Sequence, residues 1–202
     1  MRKVLLATLA AGLLAAAIPS PAQLTHHNIK AEDFIEYITV ANPYTEWQTW
    51  PGTGKFYKGR SPLGHGGLIT TYANHTALRS IAEKRGMADG SIIVVENYNA
   101  DKTLARLTAM YKVEGYNPEA GDWYWVEAAP SGKVMRSGKT QSCINCHRAQ
   151  VGNDYLWTGE VVKGKYDKTA PETGEGPLGS LHCDREARSV IPSSSAWLQL
   201  FK

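Results

Sequence analysis

Five residues, Cys143-Ile144-Asn145-Cys146-His147, restrict this 202-residue chain more than any other stretch. Two thiols separated by two residues and followed at once by an imidazole form the attachment sequence for a c-type haem. On a helix, positions three and four apart share a face. Cys143 and Cys146 can therefore bond to the haem vinyl groups while His147 turns to the iron as its proximal ligand. The same residues admit two plainer uses, because a Cys-x-x-Cys pair also serves as a redox dithiol or as half of a zinc site. Zinc needs two further ligands, and the plausible pair, His182 with Cys183, is adjacent rather than spaced. One covalent haem c is the expectation, since no second such motif occurs in the sequence.

The N-terminus points to the compartment where such haems are attached. Arg2 and Lys3 precede Val4 to Ile18, a run of apolar and small residues broken by one Thr, and Ser20-Pro21-Ala22 offers small residues to a signal peptidase. That run is shorter than the ~20 residues that span a bilayer, so residues 1–22 are expected to be a cleaved signal peptide and the mature protein periplasmic. Removing Arg2 and Lys3 lowers the formal charge from +3 to +1. So even a balance excludes nucleic acid as an expected partner. The remaining chain divides into a haem domain over 23–162 and a Gly/Pro-rich linker with a C-terminal tail over 163–202, where Ala196 to Phe201 is apolar enough to dock. Cys183 is left over in an oxidising compartment, buried or available for a bridge between chains.

Hydrophobic spacing places the elements. Phe34, Ile35 and Ile38 recur at one-turn spacing within Ala31 to Val40, with acids at the N-terminal end, which predicts a short amphipathic helix. Gly52 to Gly67 reads as a loop ending near His65, a lone histidine that could reach a metal or haem, although such residues more often serve at the surface or in the structure. Leu68 to Tyr72 reads as a strand, and a helix capped by Asn74 runs on to Gly86. Ser91 to Tyr98, Leu104 to Tyr116 and Trp123 to Ala128 read as strands joined by turns, and the haem motif follows on a helix capped by Thr140 or Ser142. Strands joined by short turns pair antiparallel. The expected fold class is α+β, a mainly antiparallel β-sheet with a few helices and the haem-attachment helix late in the chain.

In order, Leu68 to Asn74, Gly86-Met87-Ala88-Asp89-Gly90, Ser91 to Asn97, Met110 to Pro118, Asp122-Trp123-Tyr124-Trp125, Cys143 to His147 and Asp154-Tyr155-Leu156 resemble the cytochrome P-460 family, which includes the cytochromes c′-beta. The resemblance spans about Leu68 to Trp157. It implies a β-rich domain with one covalent haem c, His147 as the proximal ligand of its iron, and a second iron face often open to small ligands. In one branch, similar to a hydroxylamine and nitric oxide oxidoreductase, a lysine just before a glutamate is cross-linked to the haem. Here Val95 precedes Glu96, so that amine is absent. Another branch binds nitric oxide or carbon monoxide behind an apolar cap, often of Phe. This chain has only Phe34, Phe56 and Phe201, and Val95, Ile93 or a Tyr could line the cap instead.

Val95 is thus the candidate distal cofactor contact and Glu96 the candidate proton acceptor during substrate oxidation. Adjacent residues of a regular strand point to opposite faces, so both should not face the haem. The expected function is binding or redox conversion of a small nitrogen ligand, nitric oxide or hydroxylamine, with a periplasmic electron donor or acceptor; enzymatic turnover and a homodimer both stay open. The alternative is a six-coordinate electron-transfer cytochrome without catalysis, with Met87, Met110, Met135 or His65 as the second axial ligand.

Overall fold

The computed structural model describes residues 29–60 and 65–169. The signal segment 1–22, the His182-Cys183 pair and the Ala196 to Phe201 tail lie outside the described residues. Helix α1 covers Ala31–Glu36, α2 His75–Glu83 and α3 Gln141–His147. Strands β1 (Gln48–Thr49), β2 (Tyr57–Lys58), β3 (Leu68–Ala73), β4 (Ile92–Tyr98), β5 (Leu104–Lys112), β6 (Trp123–Ala128) and β7 (Val134–Gly138) form one sheet. Its order is β1-β3-β4-β5-β6-β7, with β2 also paired to β3, and every pairing is antiparallel. The α+β architecture with a late third helix is the one the sequence predicts.

Side-chain alternation divides the sheet into two apolar faces. Ile92 and Val94 of β4, Leu107 and Ala109 of β5, and Tyr124 and Val126 of β6 meet Phe34, Ile35 and Ile38 on one face. Phe34 stacks on Tyr111 with ring centres 5.4 Å apart. The other face carries Ile93, Met110, Trp123 and Trp125, against Ala77 and Ile81 of α2 and Ile144 of α3. The sheet is therefore covered on both sides, with α1 on one and α2 and α3 on the other. A seven-residue helix such as α3 is too short to persist alone. Ile144, only 1% exposed between the two cysteines, holds it to the sheet, a burial that contributes roughly 1.5–3 kcal/mol.

Local chemistry differs from expectation at four places. The first helix gives way after Glu36 to a wider turn over Tyr37–Ala41, where Thr39 Oγ1 donates to the Ile35 carbonyl. Asn74 caps α2 as expected, its Oδ1 accepting from the Ala77 amide at 2.9 Å, but the helix stops at Lys84, which itself takes the left-handed conformation before Gly86 is reached. Thr140 stands at the N-cap of α3 without a capping side-chain bond. Three strands, β1, β2 and β7, carry no sequence signal of their own. β7 alternates half-buried and exposed residues at the sheet edge, and in its sequence Val-Met-Arg-Ser-Gly the two apolar residues are adjacent rather than alternating.

Candidate functional site

Helix α3 turns its last residue inward. His147 is 8% exposed, and its ring lies edge-on to Trp125 of β6 with centres 4.7 Å apart. Beyond α3 the chain bends through a 3₁₀ turn over Arg148–Asn153, and Asp154 and Tyr155 both adopt left-handed backbone. That reversal brings the Tyr155 carbonyl to 2.7 Å from His147 Nδ1. A carbonyl only accepts, so Nδ1 carries the proton and Nε2 keeps its lone pair. A ring tautomer held this way through the remote nitrogen is how a protein prepares a histidine for a metal. Burial, then the neighbouring His65, pushes the His147 pKa down to about 3 despite the backbone bond, so the ring is neutral, as ligation requires.

The reversal is itself fixed by two side chains, the buried Asn153 and the half-buried Asp154. Asn153 donates from Nδ2 to the carbonyls of Leu156 and Gly159 and accepts at Oδ1 from the Val161 and Val162 amides. Asp154 accepts from the Met87 amide at 2.7 Å and from Lys112 Nζ at 2.6 Å, and Trp123 Nε1 donates to its carbonyl at 3.1 Å. The Lys112 ammonium also sits 4.9 Å from the centre of the Trp123 ring. Lys112 is thus committed to the scaffold that holds His147.

The expectation that Val95 and Glu96 take opposite faces is met. Val95 packs against the cluster that contains Ile144 and Trp125, as Cys143 does. Glu96 lies on the α1 face, where Tyr44 Oη donates to Oε1 at 3.0 Å and Tyr98 Oη donates to Oε2. The structure therefore brings Val95 to the His147 side and not Glu96, and a proton acceptor at the haem is not what this position of Glu96 offers. Phe34 sits in the α1-face core and Phe56 against Tyr98, so neither caps the site.

The Glu96 cluster makes a testable contribution to stability instead. Burial first, then the Glu96 carboxylate, pushes Tyr98 up to about 12 from its ordinary value of 10.0. A phenol whose pKa is higher folded than unfolded stabilises the fold fully below pH 10 and loses that contribution as the pH rises towards 12. The wild-type melting temperature is thus expected to fall more steeply between pH 10 and 12 than that of Tyr98→Phe. Parallel curves for the two proteins would remove Tyr98 from the account.

Residues the sequence reading passed over complete the His147 side. Asn97 follows Val95 by two, hence on the same face, and its Oδ1 lies 3.0 Å from His65 Nδ1. Thr108 Oγ1 of β5 lies 3.3 Å from the same nitrogen. The His65 ring stands 5.9 Å from that of His147, centre to centre, at 77°. Burial lowers the His65 pKa to about 4, against the Asn97 bond that raises it, so this ring too is neutral. Of the methionines considered as ligands, Met135 is 57% exposed, while Met87 and Met110 are buried in the apolar cluster.

These residues suit a haem c. Cys143 and Cys146 are thiols, both half-buried, on the helix that ends in His147. Trp125 Nε1, beside His147, and Thr140 Oγ1, at the start of α3, are buried polar atoms with no partner among the described residues, the condition left by a bound group that brings its own acceptors. Among the described residues no three His, Cys, Asp or Glu side chains gather as a metal site, and the His182-Cys183 pair that zinc would need lies outside them. The sequence model of the family described as cytochrome P460 matches residues 42–158, more than half of the chain. No curated protein matches it.

Proposed function

We propose, from the premise that the chain belongs to the cytochrome P460 family and is a c-type cytochrome of that family, that it is an exported monohaem protein whose iron binds nitric oxide or a related small nitrogen species. The observation that carries this reading is the pairing of a δ-protonated His147 on the cysteine-bearing helix with an apolar residue, Val95, on the same side of the sheet. When bound, the haem supplies an iron that changes oxidation state and takes small ligands. The polypeptide supplies the rest. Tyr155 fixes the tautomer and direction of His147, and the Asp154 and Asn153 bonds fix Tyr155. Val95, Ile93 and Met110 offer no hydrogen bond to a bound ligand, which favours nitric oxide over more polar ligands.

Binding fits these residues better than turnover of hydroxylamine. Val95 has no amine to cross-link, and both Glu96 oxygens are engaged by tyrosines on the far face. The basic start and apolar run of residues 2–18 support export, and with it a periplasmic electron donor or acceptor. Titrating the reduced, haem-loaded protein with nitric oxide and then supplying hydroxylamine with an electron acceptor tests the reading. Spectral change with nitric oxide and no hydroxylamine turnover is expected. No spectral change with nitric oxide would contradict ligand binding. A second reading, electron transfer at a six-coordinate iron, is favoured by one observation, the His65 ring set against that of His147.

A further inference from the structure

The hydrogen bonds of Asn97 decide what His65 can do. Asn97 Nδ2 faces three acceptors, the Val95 carbonyl at 2.9 Å, Thr108 Oγ1 at 3.2 Å and the Arg106 carbonyl at 3.3 Å. Its amide orientation is therefore settled by its neighbours, and Oδ1 is the atom turned to His65. An amide oxygen accepts, so His65 Nδ1 is the donor and carries the ring proton. Nε2 is left with a lone pair. A histidine in this tautomer cannot donate a hydrogen bond from Nε2 to a ligand on the iron, but it can bind the iron itself.

Two histidines in the same tautomer therefore stand side by side, each anchored through Nδ1, one by a backbone carbonyl and the other by an amide oxygen. Two imidazoles bonded to one metal at about 2 Å each have ring centres roughly 6 Å apart. The observed separation is 5.9 Å. The backbone holds His65 there: Gly59 N bonds to the Gly67 carbonyl, and Gly66 has φ +77° with the Tyr98 carbonyl 3.3 Å from where a Cβ would stand. Neither a side chain nor an ordinary backbone conformation suits position 66.

We propose that His65 is the second axial ligand of the haem iron, so that an incoming small ligand must displace its Nε2. This rests on the reading that haem c occupies the site, and it deepens that reading by naming what controls access to the iron. The exchange breaks one iron–nitrogen bond and forms one bond to the incoming ligand, and no electron moves. The two readings of the function then describe one protein: with His65 bound the iron passes electrons, and with His65 displaced it holds the small ligand.

The test uses the full mature chain loaded with haem. The ferric wild type is expected to give a six-coordinate low-spin absorption and electron paramagnetic resonance spectrum, and His65→Ala a high-spin one. Reduced His65→Ala is expected to bind carbon monoxide with roughly tenfold or higher apparent affinity, because the competent state no longer has to be vacated by the protein's own ligand. His65→Met is expected to stay low-spin with a shifted spectrum. A high-spin wild type, or a His65→Ala protein as low-spin as wild type, would overturn the proposal while the haem reading stands. If His65→Ala does not mature, the wild-type spin state alone decides. A wild type that takes up no haem would instead sink the haem reading.

Discussion

A chain with both Cys143 and Cys146 replaced by serine is expected to give up all of its haem to acidified organic solvent, whereas the wild type should keep the haem in the protein fraction. The hydroxyls cannot form the thioether bonds, and no other thiol stands in the described residues. His147 would still present Nε2, because the Tyr155 carbonyl that sets its tautomer is untouched. Some double-variant protein should therefore bind added haem reversibly, with an iron spectrum close to that of the wild type. Single substitutions are expected to leave one thioether and an intermediate yield. Haem retained by the double variant after extraction would show that attachment does not run through these cysteines.

The second large effect lies away from the haem. Asp154→Ala is expected to cost about 3 kcal/mol, the lower end of the range for removing one partner from a buried ion pair, because Lys112 and Asp154 keep 15% and 12% side-chain exposure. Lys112 would stay buried against Trp123 with its charge matched only by the Gly121 carbonyl. The Met87 amide would lose its acceptor as well. Proteins of this kind hold a total stability of about 5–15 kcal/mol, so a loss of this size should move the denaturant midpoint far. Asp154→Asn, which retains an acceptor for Met87, is expected to fall between. Because Asp154 precedes the residue whose carbonyl holds His147, the variant should also broaden the spectrum of the bound haem. An unchanged midpoint in Asp154→Ala would show the cluster to be dispensable.

The parts of this protein that read directly from sequence are those whose physics is local. The spacing of Cys143 to His147 calls for a helical turn, and the structure supplies that turn as α3. Leu107, Ala109 and Val113 were assignable to one face by alternation, as were Trp123 and Trp125 to one face of β6. Parity also required Val95 and Glu96 to part. Which of them would meet the haem side was not local information, since it depends on α1 covering one face and α3 the other. Strand β7 escaped because an edge strand with one half-buried side needs little apolar sequence.

His65 was one of four candidates for a second axial ligand that sequence could not rank, for a longer-range reason. Nothing near it in sequence marks it, and its anchor Asn97 lies 32 residues on. The antiparallel register that pairs Ile69 with Asn97 brings the chain just before β3 to the end of β4. A lone histidine in a glycine-rich loop thereby becomes the neighbour of His147. Tyr155 was present in the family-like Asp154-Tyr155-Leu156 run, but its part is played by a backbone carbonyl, which no side-chain pattern can display.

The central claim is that this chain is a monohaem c-type cytochrome with its haem bonded at Cys143 and Cys146. Intact mass measured on the protein matured in a host that attaches haem c tests it most directly, read together with the absorption of the denatured, reduced sample in pyridine. The account predicts a red protein, residues 1–22 removed, carrying one haem per chain with the c-type pyridine spectrum. A colourless chain of unmodified mass, or one that holds zinc, would contradict it.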